Sequence, residues 1–178
     1  AHRTRTEIIA TESLDTHLRV WGLPRPDIRN KLFTAHERSL MYGEHTWGGS
    51  KNLEGRNAYA DENFEETVKT DATCKWLQNT WNDHAAYIEK SAAITCKLTE
   101  QAMAQLAAGV NVEGDRVVVF NPLPYARDAV VEIPTRPGHR ILVKDLPPSG
   151  YKTIPLPSVS TIASVPSDTV VLENSFLK

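Results

Sequence analysis

Cysteine is nearly missing from this chain: Cys74 and Cys96 are the only two in 178 residues, too few for a disulfide scaffold or a closed zinc site. No apolar run approaches the ~20 residues of a membrane span. The opening Ala1-His2-Arg3-Thr4-Arg5 has none of a signal peptide's apolar stretch. An excess of one charge is also lacking. A net charge of −2 leaves no basic stripe for nucleic acid or anionic lipid, so neither nucleic acid nor a membrane is expected as a partner. There is no G-x-S-x-G, no P-loop, no G-x-G-x-x-G and no H-E-x-x-H. What remains is 40% hydrophobic and 24% charged, the composition of an ordinary globular fold long enough for one domain or two small ones.

Two amino acids divide the chain. Twelve of its fourteen valines follow Gly109, nine of its eleven prolines lie between Pro122 and Pro166, and none lies between Pro26 and Pro122. Proline ends helices and valine favours the pleated strand, so the sequence predicts a helical first half and a β second half, meeting near Gly109.

The first half carries three helical patterns. Ile8, Thr11, Leu14, Leu18 and Trp21 mark one face from about Thr4 to Val20, with Gly22 as a stop. Leu23-Pro24-Arg25-Pro26 is a stiff connector. Asp27 stands where a cap belongs, and Ile28, Leu32, Ala35, Ser39 and Tyr42 mark a second helix closed by Gly43. A loop from Glu44 to about Asp61 follows. From Asn63 to Ala108 there is neither Pro nor Gly. The apolar seam there steps through Phe64, Val68, Ala72, Trp76, Leu77, Trp81, Ile88, Ala92, Leu98, Ala102 and Leu106. A straight helix of that length would span about 70 Å, long enough to expect a kink.

In the second half, Arg116–Phe120, Ala129–Ile133, Arg140–Lys144 and Thr169–Leu172 are short β-rich runs. Asn121-Pro122-Leu123-Pro124 and Pro147-Pro148-Ser149-Gly150 are turns between them. The expected fold class is therefore α+β: a three-helix bundle over residues 1–110, then an incomplete antiparallel β unit over 111–178. An unpaired sheet edge in such a unit would favour self-association, as a homo-oligomer.

The densest set of reactive side chains is Tyr42-Gly43-Glu44-His45-Thr46-Trp47-Gly48-Gly49-Ser50. It puts a carboxylate, an imidazole, a hydroxyl and an indole on a glycine-flanked loop at a helix end, where binding groups commonly sit. Neutral imidazole is the commonest metal-binding side chain, and a neighbouring Glu can orient it. The plainer reading is a capping loop with Trp47 packed on the bundle and His45 in solvent. His17, His36 and Glu37 lack paired metal spacing and read as surface or interhelical polar residues. His84 reads as an interface histidine on the long helix. Cys74 and Cys96, 22 residues apart on one helix, cannot bridge each other and read as buried structural thiols.

The stretch Gly43-Glu44-His45-Thr46-Trp47-Gly48 resembles the Glu-His-Thr-Trp-Gly signature of the bacterial-type branch of glycoside hydrolase family 38, the zinc-dependent α-mannosidases. Three flanking features agree in order. The charged stretch from Arg3 to Trp21 resembles the helix opening that family's middle domain. A long helix follows the signature, and Val117-Val118-Val119-Phe120-Asn121-Pro122-Leu123-Pro124 resembles the entry to its C-terminal β domain; Leu172-Glu173-Asn174-Ser175-Phe176 also resembles a strand within that domain. The similarity runs over nearly the whole chain, with the Glu-His-Thr-Trp-Gly stretch as its specific part.

The resemblance implies a piece of a longer enzyme: the helical middle domain and the start of a β-sandwich domain, without the N-terminal catalytic domain. That missing domain supplies a His-x-Asp pair and the aspartate nucleophile. No histidine here is followed two residues on by Asp. By position in the motif, His45 would be one zinc ligand, Glu44 would support it, and Thr46 and Trp47 would meet the sugar. Thr46 stands where the eukaryotic branch has an aspartate. The implied activity of the intact parent is retaining hydrolysis of α-mannosides with Zn as cofactor, the fragment alone being inactive. The alternative is a non-catalytic helical interaction module or a carbohydrate-binding accessory module.

Overall fold

The computed structural model describes residues 1–44 and 64–156. The chain forms two units, Ala1–Asn111 and Val112–Lys178. The first is helical and the second is built from strands, which is the α+β class that the valine and proline partition indicates.

Helix α1 (His2–Val20) buries Thr4, Ile8, Thr11, Leu14, Asp15 and Leu18 along one face. It stops at Gly22, whose φ of +77° is open to glycine without strain. There the Leu23 N–H donates to Leu18 O at 2.9 Å and the Gly22 N–H to Arg19 O at 3.0 Å, which closes the last turn. Trp21, read as part of the apolar face, lies beyond the helix and is exposed. Helix α2 (Arg29–Gly43) buries Leu32, Ala35 and Ser39, with Ile28 buried just before it. Asp27 accepts from the Arg29 N–H at 3.0 Å, satisfying a donor that the first turn leaves open.

The sequence predicts one helix from Asn63 to Ala108; the structure has two, α3 (Phe64–Thr70) and α4 (Ala72–Gly109). Asp71 makes the division. Its carboxylate accepts from the Cys74 N–H at 3.0 Å, as an N-cap does, and so begins a new helix without Gly or Pro. Main-chain bonds still run across it, from Asp71 N–H to Thr67 O and from Lys75 N–H to Asp71 O. The helical path divides at Asp71 while main-chain hydrogen bonds continue across it.

Helix α4 packs on α1 and α2 through a seam more polar than the sequence suggests. Cys74, Leu77, Ser91, Thr95, Leu98, Ala102 and Leu106 are buried, while Trp76 is exposed. The buried hydroxyls use carbonyls already at hand. Ser91 donates to Ala35 O at 2.7 Å, Thr95 to Ser91 O at 2.8 Å, and Thr99 to Thr95 O at 2.9 Å. Thr11 on α1 meets Thr99 at 2.6 Å. Each hydroxyl is therefore satisfied, which removes the cost of burying it.

The connector between α1 and α2 is anchored by a residue that sequence reasoning passes over. Arg25, between two prolines, has a side chain only 1% exposed, and its Nε donates to Asp15 at 2.9 Å. Arg19 donates to the other Asp15 oxygen at 2.8 Å and to Pro26 O at 2.7 Å. Arg25 Nη1 donates to Gln105 Oε1 at 2.8 Å, and the Gln105 amide donates to Pro24 O. Connector, α1 and α4 thus meet in one polar node. Gly109 closes α4 beside it: a Cβ there would come within 2.7 Å of the Leu23 side chain.

Both cysteines are free thiols, but only Cys74 is buried; Cys96 is exposed. The reason is angular, because Cys96 sits one residue past Thr95 and so turns off the seam. Its Sγ donates to Glu100 Oε1 at 3.4 Å, and that carboxylate, by hydrogen bond and by charge, raises the thiol's pKa. Since the thiolate is the reactive form, Cys96 should alkylate with iodoacetamide more slowly at pH 7.5 than a free thiol does. Glu100→Gln should speed it severalfold. Equal rates for the two proteins would contradict the assignment.

In the second unit, β1 (Arg116–Asn121) pairs antiparallel with β4 (Gly150–Pro155), and β2 (Arg127–Glu132) with β3 (Arg140–Leu146). Strand β4 is not among the expected strands, which pass from Arg140–Lys144 directly to Thr169–Leu172. Val117, Val119, Ile133, Ile141, Val143 and Leu146 form the core between the two sheets. Buried Asn121 closes one end: its amide donates to Tyr125 O and Pro147 O, and its oxygen accepts from the Leu123 N–H. The expected strand Thr169–Leu172 and the Leu172-Glu173-Asn174 resemblance lie outside the described residues.

Candidate functional site

The end of α2 is where sequence and structure direct attention. An α-helix leaves its last four carbonyls without partners inside the helix. Here the Glu44 N–H donates back to Met41 O at 3.4 Å, and Nε2 of His84, on α4, lies 2.6 Å from Tyr42 O. The imidazole also stacks on the Tyr42 ring, centroids 4.7 Å apart and planes 20° apart. From α1, Arg5 donates through Nε to Ser39 Oγ and through Nη2 to Ser39 O, both at 3.2 Å. Gly43 makes room for this: a Cβ there would lie 2.5 Å from Arg5 Nη2. Guanidinium and imidazole donors at a helix C-terminus also suit the negative end of its dipole. Past Gly43 the backbone leaves the helix, with Glu44 extended at φ −72° and ψ 120°.

Beside this helix end runs a groove of about 610 Å³ between α1 and α2, lined by Arg5, Ile8, Ile9, His36, Leu40 and Glu44 among others. Ile9 and Leu40 stand 63% and 71% exposed at its rim. His36 pairs with Glu12 at 3.3 Å across the same two helices, so it is an interhelical polar residue. His17 Nδ1 is 2.6 Å from Ser13 O and its ring meets Trp21, a surface position at the far end of α1. His84 is the interface histidine its place in the pattern suggests.

Of the four residues that the motif singles out, Glu44 is half-buried at the groove's edge. His45, Thr46 and Trp47 lie outside the described residues. A catalytic zinc takes three protein ligands. Among the described residues no group of three or more His, Cys, Asp and Glu could hold a metal ion, so these residues alone do not make a zinc centre. Nor, among them, is any helix long and apolar enough to cross a membrane. Arg5 is the residue here that the sequence does not single out: it stands one residue off the buried face of α1, and only the approach of α2 gives it Ser39 as a partner. No known protein family matches the chain, and no curated protein or solved structure does either.

Proposed function

We propose that this chain is the helical and β portion of a zinc-dependent retaining α-mannosidase of glycoside hydrolase family 38, and that it contributes one zinc ligand and part of the sugar pocket. The observation that carries this reading is the run Gly43-Glu44-His45-Thr46-Trp47-Gly48, which begins where the last turn of α2 is tied to two other helices. Ligand-bearing segments work when they leave a rigid element in a fixed direction. In this reading His45 ligates zinc, Glu44 steadies the imidazole, Trp47 walls the pocket and Thr46 meets a sugar hydroxyl. Zinc, when bound, holds sugar hydroxyls and favours the distorted ring. A retaining glycosidase also needs two carboxyl groups about 5 Å apart, and both belong to a preceding domain.

The test uses the intact protein that contains this chain. It should hydrolyse an aryl α-mannoside, lose that activity to a chelator and regain it with zinc. His45→Ala should remove zinc and activity together. The 178-residue chain alone should show no turnover, and zinc-dependent turnover by it would place the catalytic carboxylates within the chain and end this division of labour. A second reading, a helical interaction module, draws on exposed Phe33 and on Ile9 and Leu40 at the rim of the groove between α1 and α2. An intact protein that keeps its function after His45→Ala and loses a partner after Leu40→Asp would favour it.

A further inference from the structure

We infer that the outer face of the β2–β3 pair is a contact surface for a second copy of this chain, independently of the mannosidase reading. Alternation turns one side of each strand to the core and the other away from it. On β3, Ile141 and Val143 are buried while Arg140, Leu142 and Lys144 are exposed. On β2, Ala129 and Val131 pack against the core while Asp128, Val130 and Glu132 are exposed. Val130 and Leu142 are direct cross-strand partners, 62% and 50% exposed, so they form one apolar spot at the centre of this face. The charges around it are sorted by strand. Strand β2 carries the acids Asp128 and Glu132, and β3 the bases Arg140 and Lys144. That sorting makes the face complementary to itself in one arrangement. A twofold axis lying between two copies and running along the strands lays β2 of each on β3 of the other. Because Glu132 is opposite Arg140 and Val130 opposite Leu142, this axis also sets Glu132 against Arg140 of the second copy, and Val130 against its Leu142. An axis across the strands would instead lay β2 on β2 and set acid against acid. Charge thus selects one orientation, in which the strands of the two stacked sheets are aligned, an ordinary sheet packing. Within one copy Arg140 reaches Glu132 only at 4.0 Å, with the two side chains 69% and 52% exposed, so the pair can be remade across the contact at little loss.

Two short strands offer well under the roughly 800 Å² a side that a stable dimer buries, so the association is weak and depends on concentration. The test is sedimentation equilibrium of the 178-residue chain from about 10 µM to about 1 mM. Low ionic strength keeps the charges unscreened, and a reductant keeps exposed Cys96 from linking copies. The parent should pass from monomer to dimer over that range. Leu142→Asp should stay monomeric throughout, because it puts a charge at the centre of the contact. Glu132→Lys and Arg140→Glu should each weaken self-association by at least about 10-fold, since each sets like charges against one another. Mixed in equal amounts, the two variants should regain the parent's association, because the basic end of one then meets the acidic end of the other. Such a rescue also shows that both variants are folded. A parent that remains monomeric over the whole range overturns the inference. A dimer that survives Leu142→Asp overturns it too, in favour of pairing along an open strand edge. So does a mixture that associates no better than its two components.

Discussion

Replacing Asp15 with alanine should destabilise the helical unit by about 3–5 kcal/mol, because it strands a buried guanidinium. Asp15 is 10% exposed at its side chain and Arg25 1%, and their 2.9 Å pair is the charge balance of the connector. Arg25 already has one nitrogen, Nη2, buried with no hydrogen-bond partner among the described residues. Without Asp15, the Nε donor loses its acceptor too, and only the Nη1 bond to Gln105 is left. Arg19 escapes this fate, since its side chain is 44% exposed and water can take over. In a unit of this size the melting temperature should fall by roughly 10–20 °C. The double variant Asp15→Leu, Arg25→Met should recover most of the loss, because removing both charges also removes their desolvation cost. Thermal melts followed by circular dichroism at 222 nm check both. A loss below about 1 kcal/mol in Asp15→Ala would mean that the node contributes little.

Leu98→Ala should cost a similar amount, about 2–5 kcal/mol, by a different route. Leu98 is 1% exposed and packs in one cluster with Ile8, Ile28, Leu32 and Ala35. Its truncation leaves a cavity among side chains of α1, α2 and α4, and the cost within that range depends on how far they relax into it. Leu40→Ala, on the exposed rim of the groove, should stay within about 0.5 kcal/mol. Urea midpoints for the two variants should separate clearly. Midpoints that coincide would show that the interior seam is not where the bundle's stability resides.

The helices were legible because apolar residues recur at helical spacing and because glycine stops three of them, at Gly22, Gly43 and Gly109, where a left-handed turn or a close approach requires it. Hydroxyls and charges hid the rest. Ser91 and Thr95 look like surface residues, yet both lie in the seam, because a serine or threonine on a helix can satisfy itself on a nearby carbonyl. Trp76 looks like core and is exposed, since a seam read only from apolar residues drifts by one position. Arg25 reads as connector, and nothing local in Pro-Arg-Pro tells that its partner waits ten residues upstream. At the end of α2 the motif itself was plain, but the clamp around it was not. Arg5 and His84 are far from Glu44 in sequence, and only the packing of three helices brings their donors to that last turn.

The two strand pairs are nested, with β2 and β3 lying in sequence between β1 and β4. The inner hairpin closes a short loop, and its main chain already turns back on itself through the bonds joining Ile133, Arg136 and His139. Once it has formed, the loop that β1 and β4 must close is in effect shorter, and each halving of a flexible loop saves about 0.6 kcal/mol of closure entropy. Asn121, whose side chain reaches Tyr125 O and Pro147 O on either side of the hairpin, can be satisfied only after those two carbonyls have come together. Asn121 thus ties β1 to both ends of the hairpin at once, so a register slip in either strand pair would leave its buried amide without an acceptor.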